Sequence, residues 1–264
     1  MGKGPNLVMI HGASGNARDF TMSLAPLLAR DYRVLAFDRP GLGYSDALPD
    51  RGGSLDQQAD VLQRAAVRLG ADRPIVLGQS YGGAVALAWA VTRPDTLAAV
   101  VTLSGASHPW DTPLSTYYKV TSHPLLGPLV IPAITAWVPD GVVNSAISEV
   151  FQPQLPPEGY AAAFGPSLTL RRTSIRNNAL QRAALLEQIK AQAGQYARIT
   201  VPVEIVHGTA DDTVDISLHA ERLAGELPNT VLTRLEGIGH MPQHVAQDAV
   251  VEAVHRGATR AGLR

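Results

Sequence analysis

Pro74-Ile75-Val76-Leu77-Gly78-Gln79-Ser80-Tyr81-Gly82-Gly83-Ala84-Val85-Ala86-Leu87-Ala88-Trp89-Ala90 carries the strongest signal of fold in the chain. Its first four residues form an apolar run that reads as a buried strand, and Ala84 to Ala90 reads as a helix. Between them stands Gly78-Gln79-Ser80-Tyr81-Gly82, a Gly-x-Ser-x-Gly element. In a chain with 24 glycines the pattern alone is weak evidence, but in the order strand, motif, helix it predicts a serine on a tight turn. Such a turn pushes the serine out of the sheet on an unfavourable backbone, so the residues two before and two after it must lack bulk. Glycine, without a Cβ, meets that need.

The same alternation extends outward in both directions. Leu7-Val8-Met9-Ile10 reads as a strand, Tyr32 to Phe37 as the next, and Leu55 to Leu69 as a helix with Ser54 at its N-cap. After the central stretch come a strand at Ala98 to Leu103, a long interruption, and a strand at Val203 to Val206. A helix at Ile216 to Leu227, a strand at Thr230 to Leu235 and a closing helix at Ala246 to Arg256 follow. Short, wholly apolar strands separated by helices imply a mostly parallel, doubly wound α/β sheet with helices on both faces.

Composition bounds the function. A length of 264 residues and 45% hydrophobic content suit a single α/β domain with a large core. A net charge of −1 gives no reason to expect nucleic acid or an anionic surface as partner. The absence of cysteine excludes disulfides, thiolate metal sites and a cysteine nucleophile. No apolar run reaches transmembrane length and the first residues are no signal peptide, so the chain as given reads as cytoplasmic. The oligomeric state is not legible.

The interruption, residues 106–194, differs from the rest in composition. It holds ten prolines, from Pro109 to Pro166, and aromatic residues including Trp110, Tyr117, Tyr118, Trp137, Phe151 and Tyr160. A structureless loop of this length does not suit a compact domain. Short helices broken by prolines are expected, forming a helical cap inserted into a core of residues 1–105 and 195–264. Ligands of open α/β sheets bind beyond the carboxyl ends of the strands, where such an apolar cap shapes a pocket.

Five motifs follow five strands in order: His11-Gly12-Ala13-Ser14, Asp38-Arg39-Pro40-Gly41-Leu42-Gly43-Tyr44-Ser45, the Ser80 element, and a late pair. The late pair is His207-Gly208-Thr209-Ala210-Asp211 and Gly237-Ile238-Gly239-His240-Met241-Pro242. On these residues the chain resembles the α/β-hydrolase superfamily, in its capped serine-hydrolase, esterase-like branch, almost from end to end. The order Ser, Asp, His is the one that fold requires.

The resemblance, joined to the chemistry, implies roles. Ser80 is the nucleophile and needs a base; His240, in a glycine-rich loop after the last strand, is the candidate. Asp211 is the acid that orients it, favoured over its neighbour Asp212 by the family's spacing. The oxyanion hole is implied at the backbone N–H groups of Ala13 and Tyr81. Ser14, Trp110, Trp137 and Met241 are candidate pocket residues. His244 is expected at the surface or rim, and Arg171, Arg172, Arg176 and Arg182 on the solvated face of a cap helix. His11 and His207 are expected to be structural, and no metal or cofactor is implied.

Two departures from the family pattern matter. The strand hairpin that usually precedes the His-Gly motif is missing, so a longer natural chain, exported or membrane-anchored, is one expectation. Serine at position 80, where epoxide hydrolases and haloalkane dehalogenases carry aspartate, excludes an aspartyl-ester mechanism. The expected reaction is hydrolysis of a small-molecule carboxylic ester through an acyl-enzyme. The alternatives are a meta-cleavage carbon–carbon hydrolase with the same triad, and a slow-hydrolysing ligand receptor. Against the first stands Met241, where that branch carries a tryptophan after its catalytic histidine.

Overall fold

The computed structural model describes residues 1–49 and 53–264. Six strands, β1 (Asn6–Ile10), β2 (Arg33–Phe37), β3 (Ile75–Gln79), β4 (Ala99–Leu103), β5 (Val203–Gly208) and β6 (Thr230–Leu235), form one sheet. Their order is β2-β1-β3-β4-β5-β6, and every pairing is parallel. The order reverses between β1 and β3, which places the switch point, the usual ligand crevice of such sheets, beside Ile10 and Gln79.

Strand periodicity explains why both faces are covered. Val8, Ile10, Val76 and Val100 point to one face, where they meet the helices Leu55–Arg68 and Tyr81–Thr92. Leu7, Met9, Ile75, Leu77, Ala99, Val101 and Leu103 point to the other, against the helices Leu24–Leu28 and Gln247–Arg260. All of these strand residues are buried, as a doubly wound sheet requires.

The helix Leu55–Arg68 starts where the sequence places it. Ser54 Oγ accepts from Gln57 N–H at 3.2 Å, and Gln57 Oε1 accepts from Ser54 N–H at 2.6 Å, a reciprocal cap. The helix Tyr81–Thr92 begins three residues earlier than the apolar run and is buried on every side through Val91. Its small residues allow this: a Cβ on Gly83 would stand 2.8 Å from Gly105 Cα of the loop after β4. The helix expected at Ile216 to Leu227 is instead a wide π-type turn, Ser217–Glu221, running into a short helix, Arg222–Glu226.

Between β4 and β5 lie the helices Thr116–Ser122, Leu126–Trp137, Asp140–Phe151, Tyr160–Phe164, Pro166–Thr169 and Arg172–Ala193. Prolines at 124, 139, 153 and 166 fall at their ends, and Pro132 lies inside one. The last helix, 22 residues long and free of proline, is not short. Its buried face carries amides, Asn177, Asn178, Gln181 and Gln192, as well as Leu185 and Ile189. Among the described residues no single helix is long and apolar enough to cross a membrane.

Candidate active site

Ser80 joins β3 to the helix Tyr81–Thr92 with φ 52° and ψ −115°. A non-glycine residue held in such a sparsely populated region costs on the order of 1–3 kcal/mol. Backbone packing keeps it there. Ser80 N–H donates to Leu103 O at 2.9 Å, and Ser80 O accepts from Gly83 N–H at 3.0 Å. A Cβ on Gly78 would overlap Gly82 O, and one on Gly82 would overlap Ile10 O of β1. Both glycines are therefore dictated by contact between backbones, and Ser80 itself is only half-buried.

His240 lies in the loop after β6, where its imidazole is 5% exposed. Its Nδ1 donates to Asp211 Oδ2 at 2.8 Å. The other oxygen, Asp211 Oδ1, accepts from the N–H groups of Thr213 at 3.0 Å and Val214 at 2.9 Å. His207 also leans on this carboxylate: its Nε2 donates to Val214 O at 2.7 Å and lies 3.2 Å from Asp211 Oδ2. Burial alone would raise the Asp211 carboxyl, but the hydrogen bonds from His207 and His240 outweigh it and hold it well below the usual range. Asp212 is exposed, and its Oδ1 accepts from Thr213 Oγ1 at 3.4 Å. The geometry thus gathers Asp211, and not Asp212, with His240.

Gln79 connects this pair to the elbow, the tight turn at Ser80 between β3 and the helix Tyr81–Thr92. Its Nε2 donates to His240 O at 3.2 Å. A Cβ on Gly12 would overlap Gln79 Oε1 and come within 3.2 Å of Ser80 Cβ. The loops after β1, β3, β5 and β6 therefore converge at one end of the sheet.

Tyr81 opens a 12-residue helix, so its N–H is one of the four with no intrahelical acceptor. Its ring is buried, and its hydroxyl accepts from Gln58 Nε2 at 3.2 Å. Ala13 lies in the loop after β1. The carbonyl of the preceding residue, Gly12, accepts from Arg39 Nη2 at 3.0 Å and from His11 Nδ1 at 2.9 Å. Because His11 Nε2 accepts from Arg39 N–H at 2.9 Å, His11 carries its proton on Nδ1. Burial, aided by the Arg39 charge, pushes the His11 imidazole down to about 4.

Arg39 is fully buried, and among the described residues its acceptors are neutral: His11 O at 3.0 Å, Gly12 O, Gln58 Oε1 at 3.0 Å and Gln181 Oε1 at 2.6 Å. Its guanidinium also stands 4.1 Å from the centre of the Tyr81 ring. Burial lowers even this group, to about 10.

The candidate pocket residues divide. Ser14 adjoins Ala13, has φ 54°, and is bonded to Asn178 of the helix Arg172–Ala193. Met241 follows His240 and packs with Phe151, Tyr160 and Phe164. Trp110 is half-buried against His219, ring centres 6.0 Å apart. Trp137 ends its helix and is 78% exposed, a surface position rather than a pocket wall. Among the described residues no three His, Asp or Glu side chains gather as a metal-ligand set.

Two further expectations need correction. The His244 imidazole is 1% exposed, not at the rim, because the short helix Pro242–Val245 turns it inward. There its Nε2 donates to Asp19 Oδ1 at 2.8 Å, which also accepts from Tyr160 OH at 2.8 Å. Of the four arginines, Arg171 and Arg172 are exposed as expected, Arg171 also donating to Gly43 O at 2.9 Å, but Arg176 is half-buried and donates to Thr121 O at 2.6 Å. Arg182 is half-buried, 5.5 Å from the centre of the Tyr118 ring. Arg39, Gln79, Asp19 and Asn178 escaped the sequence reading. Arg39 and Gln79 at least stand inside the motifs that follow β2 and β3, whereas a buried amide on a helix, such as Asn178, leaves no periodic signal.

The profile of the alpha/beta hydrolase family matches residues 7–253. The chain belongs to the alpha/beta hydrolase family. Relatives of this hydrolase are diverse. One from Cupriavidus pinatubonensis, a 2-hydroxy-6-oxononadienedioate/2-hydroxy-6-oxononatrienedioate hydrolase, is 26% identical over 250 residues, covering 90% of this chain and 81% of its own. A putative carbamate hydrolase, RutD, from Pseudomonas syringae pv. syringae is 30% identical over 245 residues, 89% of this chain and 86% of its own. The crystal structure of an alpha/beta hydrolase fold protein from Burkholderia ambifaria superimposes with a TM-score of 0.76 at 26% identity, covering 96% of this chain and 91% of that one.

Proposed function

We propose that this alpha/beta hydrolase is a serine hydrolase of small carboxylic esters, acting through an acyl-enzyme. In this reading residues 106–194 cap a site built on residues 1–105 and 195–264. The observation that carries it is the His240–Asp211 hydrogen bond of 2.8 Å, joined through Gln79 to the Ser80 elbow.

The steps follow from the chemistry of the groups. Ser80 Oγ attacks the ester carbonyl while His240 Nε2, the ring nitrogen not engaged by Asp211, takes its proton. Asp211, ionised by its hydrogen bonds, stabilises the imidazolium. The N–H groups of Ala13 and Tyr81 receive the developing oxyanion; one such donor is worth roughly 10²–10³ in rate. Collapse of the intermediate expels the alcohol, which takes the proton from His240. Water, deprotonated by His240, then attacks the acyl-enzyme, and a second collapse releases the acid and restores Ser80.

A second reading, carbon–carbon hydrolysis with the same three residues, is favoured by one observation. The Cupriavidus relative named for a 2-hydroxy-6-oxo dienedioate matches along 90% of this chain. One comparison separates the two: kcat/KM for p-nitrophenyl esters from acetate to long acyl chains against that for a 2-hydroxy-6-oxo dienedioate, each with a Ser80→Ala control. Ester turnover that is the faster and collapses in the control supports the first reading. Dienedioate cleavage that is the faster supports the second.

A further inference from the structure

The loop that would supply one oxyanion donor is held from two sides. On the core side, Arg39 and His11 grip Gly12 O. On the other, the helix Arg172–Ala193 reaches across with Asn178, whose side chain is paired twice with one residue. Asn178 Oδ1 accepts from Ser14 N–H at 2.8 Å, and Asn178 Nδ2 donates to Ser14 Oγ at 2.9 Å. Thr169 Oγ1 adds a bond to Ser14 O at 2.9 Å. Ser14 needs such support, because its φ of 54° is one that L-residues rarely adopt. Asn178 is buried, so its two bonds are not traded freely for water.

Ser14 and Ala13 share a peptide. A rotation at Ser14 therefore carries the plane next to the Ala13 N–H with it. We propose that Asn178 is a positioning residue for the reaction: by pinning Ser14 in its left-handed conformation it holds the peptide that follows the Ala13 N–H, as Arg39 and His11 hold the one that carries it, so that this donor is fully aimed at the oxyanion only while the helix Arg172–Ala193 is docked. The proposal rests on the serine-hydrolase reading above. It adds a dependence of transition-state binding on an amide 164 residues away in sequence.

The helix carries its own control. Gln188 Oε1 accepts from Leu55 N–H at 2.7 Å, another amide contact from this helix to the core, but not to the Ser14 loop. Asn178→Ala is expected to lower kcat about 10- to 100-fold with KM changed less than about threefold, the scale of a misplaced group. Affinity for a trifluoromethyl ketone, which forms a charged tetrahedral adduct, should fall in parallel. Gln188→Met should leave both unchanged. In a Ser14→Gly background, where the left-handed φ carries little cost, the Asn178→Ala loss should shrink at least about threefold. If Asn178→Ala fails to fold by circular dichroism, Asn178→Ser is the second variant and should show the same losses. An equal loss in Gln188→Met, additive behaviour with Ser14→Gly, or wild-type kcat and ketone affinity in the Asn178 variant overturns the proposal. A Ser80→Ala arm separates the two levels. Full activity there overturns the serine reading and the proposal with it; an inactive Ser80→Ala beside a wild-type-like Asn178→Ala overturns the proposal alone.

Discussion

Arg39 donates from Nη2 to Gly12 O at 3.0 Å, and that carbonyl belongs to the same peptide as the Ala13 N–H. A trans peptide is planar, so fixing its oxygen fixes the opposite direction of its N–H. A cation at the oxygen also polarises the peptide towards a stronger donor.

Arg39→Lys tests this. An ammonium keeps the charge but cannot span four acceptors in a planar fork. The variant should lose about 2 kcal/mol of stability from unpaired buried carbonyls and amides, and kcat should fall roughly tenfold or more. Chemical denaturation and steady-state kinetics on one preparation read both; wild-type values in both would contradict the role given to Arg39.

Asp211→Asn should lower kcat by roughly 10³–10⁴ with little change in KM, because the amide no longer enforces the His240 tautomer. Asp212→Asn, at an exposed position, should stay within about twofold of wild type. The reverse pattern would transfer the acid to Asp212.

Stability should fall on mild acidification before carboxylates titrate. Burial pushes His11 and His219 down to about 4, aided by Arg39 at His11 and by His207 and His108 at His219. The unfolded chain binds these protons near the ordinary value of 6.5. Between the two values the unfolded state holds more protons, so the stability is complete above 6.5 and is lost as pH drops towards 4. The loss is about 3 kcal/mol at most for each histidine. Asp19 and Asp211, whose carboxyls are held below 3.8, add their losses only below that value. Urea unfolding at pH 7, 6 and 5 should show a declining free energy, and a flat series would contradict the buried, neutral state of these imidazoles.

Gly82→Ala should destabilise the fold by about 1–3 kcal/mol and reduce activity, since the new Cβ overlaps Ile10 O on β1 and no flexible side chain can yield. Thermal unfolding beside wild type measures it. An unchanged midpoint would mean that the elbow and β1 are less closely packed than described.

What the sequence showed and what it hid divide along physical lines. Strands buried on both faces are mostly apolar, so β1, β3 and β4 were legible as runs; β5 was legible despite Glu204, whose buried carboxylate meets Arg256 and Arg260. The elbow was legible because sterics force glycine at 78 and 82, a constraint written in residue type. The amide face of the helix Arg172–Ala193 was not, since Asn178, Gln181 and Gln192 read as polar surface until their partners across the fold are known. His244 misled for a similar reason: its partner Asp19 lies 225 residues away. The charges of Arg176 and Arg182 suggested solvent, but their long stems bring the guanidinium groups back to carbonyls and a ring.

In the proposed mechanism Ser80 is the nucleophile, activated by His240 and Asp211. Treatment with a fluorophosphonate, followed by intact-mass and peptide mass spectrometry, is the decisive test. One phosphonyl group per chain is expected, on the peptide containing Ser80, with labelling abolished in Ser80→Ala and strongly slowed in His240→Ala. Labelling that persists in Ser80→Ala, or that falls on another residue, would contradict it.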